Sequence, residues 1–315
     1  MDLRSLRYFQ TVAECGSFSR GSALLNVSQP AVSRTIRELE DELGRPLFVR
    51  HRAGATITEA GRLLFERSKA LLRQLDQTAA EVRGGGAAAS GMITIAMPPG
   101  VGYILGPPLV ERFSTQFPNV ALKFVGGYSG YLYESLIRGR VDLACIHDPV
   151  PRRDIEVIPL LRQEVFVVGK AGRFSKHNKS VDIDELANLP LILPSSPNAS
   201  RRLLESWAAR EGRWIEAHME VDDHILMSGL IKRGLGVGLM TQATVHANLR
   251  TKEIETRSLM PKAYWPLALI YSKSIMVSKI KHSFIDMTIS MVKEMKSAKT
   301  WPGLFLETTA SKNRA

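Results

Sequence analysis

SFSRGSALLNVSQPAVSRTIRELEDELGRPLFVRHR, residues 17–52 of a 315-residue chain, decides the fold of the N-terminal part. Val32, Ile36, Leu39 and Leu43 are spaced by four, three and four, which forms one stripe on a helix of 3.6 residues per turn and predicts a buried face. Pro30, Ser33, Arg34 and Arg37 then point away from the core. Ser28 stands where it can cap this helix, and Pro30 is tolerated in a first turn that lacks intrahelical acceptors. Residues 17–25 read as a shorter helix giving Phe18, Ala23 and Leu24 to the same core, with Ala23 small enough for a close crossing and Asn26 and Val27 forming the turn. A basic segment ending at Arg50 and Arg52 follows as a wing. Two short helices, a tight turn and a wing are the means by which a protein seats one helix in the major groove of duplex DNA.

Placement carries this reading, not net charge. The chain has formal charge +11, yet residues 1–90 hold 13 Lys and Arg against 10 Asp and Glu, so only +3 lies in this part. A basic pI near 9.8 suits a polyanionic partner and equally suits a basic enzyme. Arg34 set bidentate on a guanine edge would discriminate bases by about 1–3 kcal/mol, whereas Arg50 or Arg52 on phosphate would add salt-dependent affinity with little sequence choice.

The ordered set of motifs is more specific than any one residue. A first helix over residues 3–14 is followed by Gly16-Ser17-Phe18-Ser19 and by Ser28-Gln29-Pro30-Ala31-Val32-Ser33-Arg34. Leu39-Glu40, Leu43-Gly44, Leu47-Phe48, Arg50 and Ile57-Thr58-Glu59-Ala60-Gly61 complete it. This succession resembles the LysR-type transcriptional regulator family over nearly the whole chain. Within that family, Gly127–Leu132 and Gly139–Ala144 are most similar to the branch containing the nitrogen assimilation control protein. The resemblance implies that Gln29, Pro30, Ser33 and Arg34 lie in or beside the major groove. Family wings usually carry arginines where this chain has Ala53 and Thr56, which leaves Arg50 and Arg52 to make the wing contact. It also implies a winged helix-turn-helix at residues 1–60 and a two-subdomain α/β sensor like a periplasmic binding protein. The usual assembly is a homotetramer built as a dimer of dimers, with RNA polymerase as a further candidate partner.

Residues 58–83 read as one long helix. Leu64, Leu71 and Thr78 are seven apart, as are Ser68, Leu75 and Val82, and together they make a seam of coiled-coil type. About 25 residues at 1.5 Å each give a rod of roughly 37 Å, too long for a 60-residue head to cover, which predicts a homodimer through this helix. Two paired heads would read an imperfect palindrome. Residues 84–91, GGGAAASG, are expected to be a flexible hinge.

From residue 92 on, short apolar runs alternate with helical stretches. Runs at 92–97, 121–125, 143–146, 165–168, 191–193 and 267–271 are strand candidates; helices are expected at 107–117, 130–138, 200–212, 222–233, 241–247 and 275–296. This predicts a parallel α/β domain over residues 92–300. The family resemblance divides it into one subdomain of 92–162 and 266–297 and another of 163–265, with residues 301–315 as a tail. Ligands in open α/β sheets sit at strand C-termini facing helix N-termini. Residues at such ends that are candidates for holding an anionic metabolite effector are Ser129, Ser195, Ser196 and Asn198, with Gly100, Tyr128, His147 and His224 as lining.

Enzyme motifs fail on spacing. Gly127–Tyr131 lacks the second glycine of a nucleophile elbow, Gly234–Gly238 is mis-spaced for a dinucleotide loop, and there is no P-loop. The seven histidines and two cysteines show no metal-ligand spacing, so no metal or cofactor is expected. Cys15 and Cys145 suit reduced thiols, and the chain shows no apolar signal core or 18-residue apolar run, which predicts a cytoplasmic protein without a membrane partner. Two alternatives stay open at this stage: a regulator without an effector, controlled by abundance or partner contact, and a cytoplasmic solute-binding or enzymatic α/β protein.

Overall fold

The computed structural model describes residues 1–51, 54–83, 91–174, 179–196, 198–273, 278–301 and 305–306. The chain forms two compact units, the first centred on residues 1–91 and the second on residues 92–136 and 141–315.

The first unit contains α1 (Leu3–Cys15), α2 (Phe18–Leu24), α3 (Gln29–Leu43), β1 (Phe48–His51), β2 (Gly54–Ile57) and α4 (Glu59–Arg83). Asp2 begins α1 with a capping box with Ser5, and Gly16 ends it at φ 61°, a left-handed conformation that suits glycine. Val32, Ile36 and Leu39 of α3 are buried with Phe9, Val12, Phe18 and Phe48, as the stripe predicts. Leu43 is exposed, because Gly44 turns the chain away at the helix end. Three further expectations need correcting. Ala23 and Leu24 are exposed, and the residue permitting the close crossing is Gly21, where a Cβ would stand 2.9 Å from Val12 Cγ2. Ser28 occupies the N-cap position of α3 but its side chain makes no capping bond.

Ile57–Gly61 has a steric explanation. Thr58 Oγ donates to Pro46 O (2.7 Å) and accepts from Gly61 N (3.0 Å), which fastens the start of α4 to the end of the loop before β1. Only glycine fits at 61, since a Cβ would lie 2.2 Å from Leu47 O. Along α4, Leu64 packs on the head core, Ser68 is buried with its hydroxyl 3.1 Å from Gln10 Nε2, and Leu72 is buried too. Leu64 and Ser68 therefore belong to the intramolecular face. Leu71 (56% exposed) and Leu75 (42%) of the expected seam remain open to solvent, joined by Leu63. The side chains of Thr78 and Val82, and residues 84–90 of the expected hinge, lie outside the described residues.

The second unit runs β3 (Gly91–Met97), α5 (Pro99–Gln116), β4 (Val120–Gly126), α6 (Ser129–Ile137), β5 (Leu143–His147), β6 (Ile155–Lys170), β7 (Ser180–Val181) and α7 (Ile183–Ala187). It continues with β8 (Ile192–Leu193), α8 (Ala199–Arg210), β9 (Met219–Glu220), α9 (His224–Lys232), β10 (Gly238–Thr241), α10 (Gln242–Arg250), β11 (Ile254–Ser272), α11 (Lys279–Ser297) and β12 (Phe305–Leu306). The main sheet has the order β10-β6-β11-β5-β3-β4. It is mixed, not parallel: β3 and β5 are parallel, whereas β6–β11, β5–β11 and β10–β6 are antiparallel. The sequence revealed only the apolar portions of β6 and β11; in the structure they are 16 and 19 residues long and pair along most of their length. Helix α5 begins eight residues before the expected position, with Pro99 in its first turn and Pro107 and Pro108 inside it. Prolines that read as a start thus sit in the interior, at the loss of two backbone donors.

Ile93, Ile95, Leu105, Leu109, Phe113, Phe284 and Met291 form one core with Leu161, Leu267 and Leu269. Val165, Val167, Leu191, Leu193, Leu204 and Leu239 form another with Trp265. Strands β6 and β11 pass from the first core to the second between Leu161 and Val165 and between Trp265 and Leu267. Trp301 packs in the first core and β12 pairs with β6, which takes the start of the tail onto the sheet; residues 302–304 and 307–315 lie outside the described residues.

Candidate functional site

The first candidate surface is the outer side of α3. Gln29, Pro30, Arg34 and Arg37 are exposed, Ser33 is half-buried and Ser28 is exposed at the helix start. The Arg34 side chain is 83% exposed, with its Nε 2.9 Å from Glu38 Oε1. Such an exposed i,i+4 pair contributes about 0.3–0.5 kcal/mol, less than the roughly 1–3 kcal/mol of a bidentate guanine contact, so Glu38 cannot hold the guanidinium against a base. Behind this face, Glu40 Oε1 accepts from the backbone N–H groups of Leu47 (2.6 Å) and Phe48 (3.1 Å), fixing the wing to α3. In the wing, β1 and β2 pair antiparallel, and the Arg50 guanidinium lies 4.1 Å from the Phe18 ring centroid. This cation–π contact fixes the direction of an exposed cation at the wing base. Arg52 lies outside the described residues.

The second candidate is a cavity of about 60 Å³ in the second unit. Helices α5, α6, α8 and α9 begin around it. Tyr128, Ser129, His147, Asn198 and His224, all expected from the sequence, line it together with Pro98, Pro99, Pro194, Met227, Leu239, Met240, Thr244 and Trp265. Ser195 and Ser196 lie in an adjoining open depression with Tyr131, Glu134 and Asp222. Gly100 is not in the lining. It is buried against α10, where a Cβ would stand 2.6 Å from Thr244 Oγ1, so its role is helix packing.

Part of the donor set expected to hold an anion is engaged within the protein. Ser195 donates through both N–H (2.9 Å) and hydroxyl (2.7 Å) to the Asp222 carboxylate. Asn198 Oδ1 accepts from the N–H and hydroxyl of Ser200 as the cap of α8. Asp223 caps α9 through Leu226 N, and α5 opens with Pro98 and Pro99, which have no N–H. The nearby Arg202 guanidinium is 3.0 Å from Asp148 Oδ2. Burial, with Asp222 and Asp223 in the vicinity, pushes the Tyr128 phenol up to about 12.

His147 organises the back wall. Its N–H donates to Ser129 Oγ (3.0 Å), its Nε2 is 2.9 Å from Gln163 Oε1, and its ring lies 5.5 Å from that of Trp265. Burial pulls His147 below the usual imidazole value, so it is neutral in the folded protein near pH 7. Gln163 and Trp265 are direct cross-strand partners on β6 and β11. Sequence reading missed both, because it searched strand ends and these residues lie within long strands. The signal available was a polar triplet, Arg162-Gln163-Glu164, interrupting the apolar run from Leu160 to Val168. Among the described residues no group of His, Cys, Asp and Glu is arranged to hold a metal ion, and no helix is long and apolar enough to cross a membrane.

Comparison with known proteins agrees with this division. The LysR substrate binding domain family matches residues 86–291, and the lysR family of bacterial regulatory helix-turn-helix proteins matches residues 3–62. The chain is 28% identical to the nitrogen assimilation regulatory protein nac of Escherichia coli over 78% of its length and 80% of that protein's. It is also 28% identical to the HTH-type transcriptional regulator BbuR of Bordetella bronchiseptica, over 96% and 94%. Two relatives at one level of identity support the family without selecting a branch. In fold, the chain is similar to full-length OxyR from Pseudomonas aeruginosa (TM-score 0.70, 22% identity, 93% of this chain and 95% of that one). It is likewise similar to CbnR complexed with its target DNA (TM-score 0.64, 19% identity, 93% and 99%). With a winged helix-turn-helix that presents arginines, an α/β unit with an internal cavity, and a family match across most of its length, the chain belongs to the LysR family of DNA-binding transcriptional regulators and is not an enzyme.

Proposed function

We propose that this regulator reads promoter DNA through α3, with Arg34, Ser33, Gln29 and Pro30 at base edges and Ser28, Arg37, Arg50 and Arg52 at or near the phosphates. The observation that carries this is the exposure of Arg34 on the outer side of a helix whose inner side is fixed in the head core. The domain organisation that goes with it is a head of residues 1–60, a linker helix of 58–83, a hinge of 84–91 and a sensor of 92–300. The exposed edge of α4 at Leu63, Leu71 and Leu75 pairs two protomers, and the dimers associate into a tetramer. Two heads then meet half-sites about 34–36 Å apart, one helical turn, on an imperfect palindrome. Such a protein acts in the cytoplasm and contacts RNA polymerase at the promoter.

A small-molecule effector in the cavity shifts the sensor between two arrangements through different affinity for each. The engagement of both Ser195 donors by the Asp222 carboxylate favours a second reading, in which the regulator acts without an effector through its abundance or a partner. Fluorescence-anisotropy titration of the full-length protein on a palindromic promoter fragment and a scrambled one, at several salt concentrations, tests the DNA reading. With about three phosphate contacts per head, log K for a dimer should fall with log salt at a slope of about −5 while the preference for the palindrome persists. Equal affinity for both fragments at every salt concentration would reject the assignment.

A further inference from the structure

The two faces of the β1–β2 hairpin carry different chemistry. Side chains alternate across a strand, and the register pairs Phe48 with Ile57, Val49 with Thr56, Arg50 with Ala55 and His51 with Gly54. Phe48 and Ala55 are buried in the head core, and Arg50 on the same face lies against the Phe18 ring. Val49, His51 and Thr56 therefore share the opposite face, and all three are exposed. His51 stands at the last pair before the turn and is fixed there, its Nε2 2.9 Å from Thr56 Oγ1. Its Nδ1 has no hydrogen-bond partner among the described residues. The other described members of that face, Val49 and Thr56, are uncharged. The end of α1 packs behind the hairpin, where Gly16 O accepts from Ala55 N. Of the charged groups there, Glu14 is paired with Lys69, and Arg20 of α2 donates to Cys15 O. The other six histidines of the chain, at 147, 177, 218, 224, 246 and 282, all lie beyond the head.

We propose that His51 is a DNA-contacting residue of the wing, held by Thr56 and donating through Nδ1–H to a backbone phosphate in its imidazolium form, so that operator affinity depends on pH. This rests on the DNA reading above and adds a proton-dependent contact to the fixed charges of Arg34, Arg37 and Arg50. When the ring takes up one proton, both nitrogens donate: Nε2–H to Thr56 Oγ1, and Nδ1–H to the phosphate. The neutral ring brings no charge to the duplex and displaces no counterion, whereas the imidazolium does both. An imidazole ordinarily gains its proton near pH 6.5, and a facing phosphate favours the charged form, so the contact strengthens as pH falls from 8 to 6.

Fluorescence anisotropy of the full-length protein on palindromic and scrambled fragments, near pH 6 and pH 8 over a range of salt concentrations, tests this with His51→Gln and His51→Arg. Palindrome affinity of the parent should rise about two- to fivefold per head from pH 8 to pH 6, and its log K against log salt should steepen by up to about 0.9 per head. His51→Gln keeps a partner for Thr56 but cannot take a charge, and should lose most of both changes. His51→Arg is charged at both pH values, so at pH 8 it should bind about as tightly as the parent does at pH 6. Because His51 is exposed, both variants should keep the parent's fold, which circular dichroism checks. Equal pH dependence in the parent and His51→Gln, or His51→Arg binding no tighter than the parent at pH 8, would overturn the inference. A palindrome preference that persists while the parent and His51→Gln share one pH profile rejects the wing contact alone, whereas no preference in the parent at either pH rejects the DNA reading beneath it.

Discussion

Lys281 and Asp142 form an ion pair inside the sensor, and removing either partner should be among the most damaging changes available there. Lys281 Nζ lies 2.8 Å from Asp142 Oδ1, with side chains 7% and 1% exposed. Asp142 Oδ2 also accepts from Thr94 N at 2.8 Å, so the carboxylate joins β3, the approach to β5 and the start of α11. Breaking a buried pair by removing one member costs about 3–5 kcal/mol, because the remaining charge stays buried without a counter-charge. Lys281→Met and Asp142→Asn should each lose about that amount. For a domain of this size, that is a fall in Tm of roughly 6–20 °C, at about 2–4 °C per kcal/mol. The double variant should lose much less than the sum, with a coupling of about 2–3 kcal/mol, since Met is apolar and Asn still offers Thr94 an acceptor. Trp207, Trp214, Trp265 and Trp301 all lie in the second unit, so tryptophan fluorescence during thermal unfolding follows this unit and not the head. Single variants within about 1 kcal/mol of the parent, or strictly additive losses, would refute the assignment of a coupled buried pair.

Further changes probe the other parts. Gly61→Ala sets a Cβ 2.2 Å from Leu47 O and should destabilise the head by more than Gly21→Ala, which meets the Val12 side chain at 2.9 Å and should cost about 1–3 kcal/mol; circular dichroism of both under urea gives the order. Leu71→Asp with Leu75→Asp should convert dimers to monomers in light scattering at micromolar concentration while leaving the head folded, because both side chains are exposed in the single chain. His147 titrates below its ordinary 6.5 because of burial, so the unfolded chain binds a proton that the folded chain does not. Sensor stability should therefore decline as pH falls below about 6.5, and His147→Gln should flatten that decline in urea titrations between pH 7 and 5. Glu294, held down to about 2 by the Arg112 guanidinium, has a separate window: its contribution is present above the unfolded value near 4.5 and is lost as pH falls toward 2, and Arg112→Ala should remove it.

The head was legible because local signals and tertiary packing agree in it. The Val32, Ile36 and Leu39 stripe, the left-handed glycines at 16 and 44, and the Thr58–Gly61 joint each identify themselves within a few residues. Leu24 and Leu43 fit the core pattern yet are exposed, because apolar character at a helix end says nothing about which way the chain turns next. Along α4, periodicity places Leu64, Ser68, Leu71 and Leu75 on the helix but cannot divide them between the head and another surface. In the sensor, β6 and β11 exceed their apolar runs because each passes from one core to another through polar residues, and that passage breaks the pattern used to find strands. The cavity followed the same rule. Its strand-end residues were found, while Trp265, brought beside His147 only by strand pairing, carries no local mark.

The central claim is that the outward side of α3 chooses the DNA sequence, and the affinity ratio between operator and scrambled duplex for Arg34→Ala against the parent protein tests it most directly. At about 1–3 kcal/mol per head, the ratio should fall by roughly 5- to 150-fold for each half-site engaged, with the salt dependence changed by no more than about one contact per head. A ratio equal to the parent's, with only the overall affinity lowered, would contradict it and reduce Arg34 to a phosphate contact.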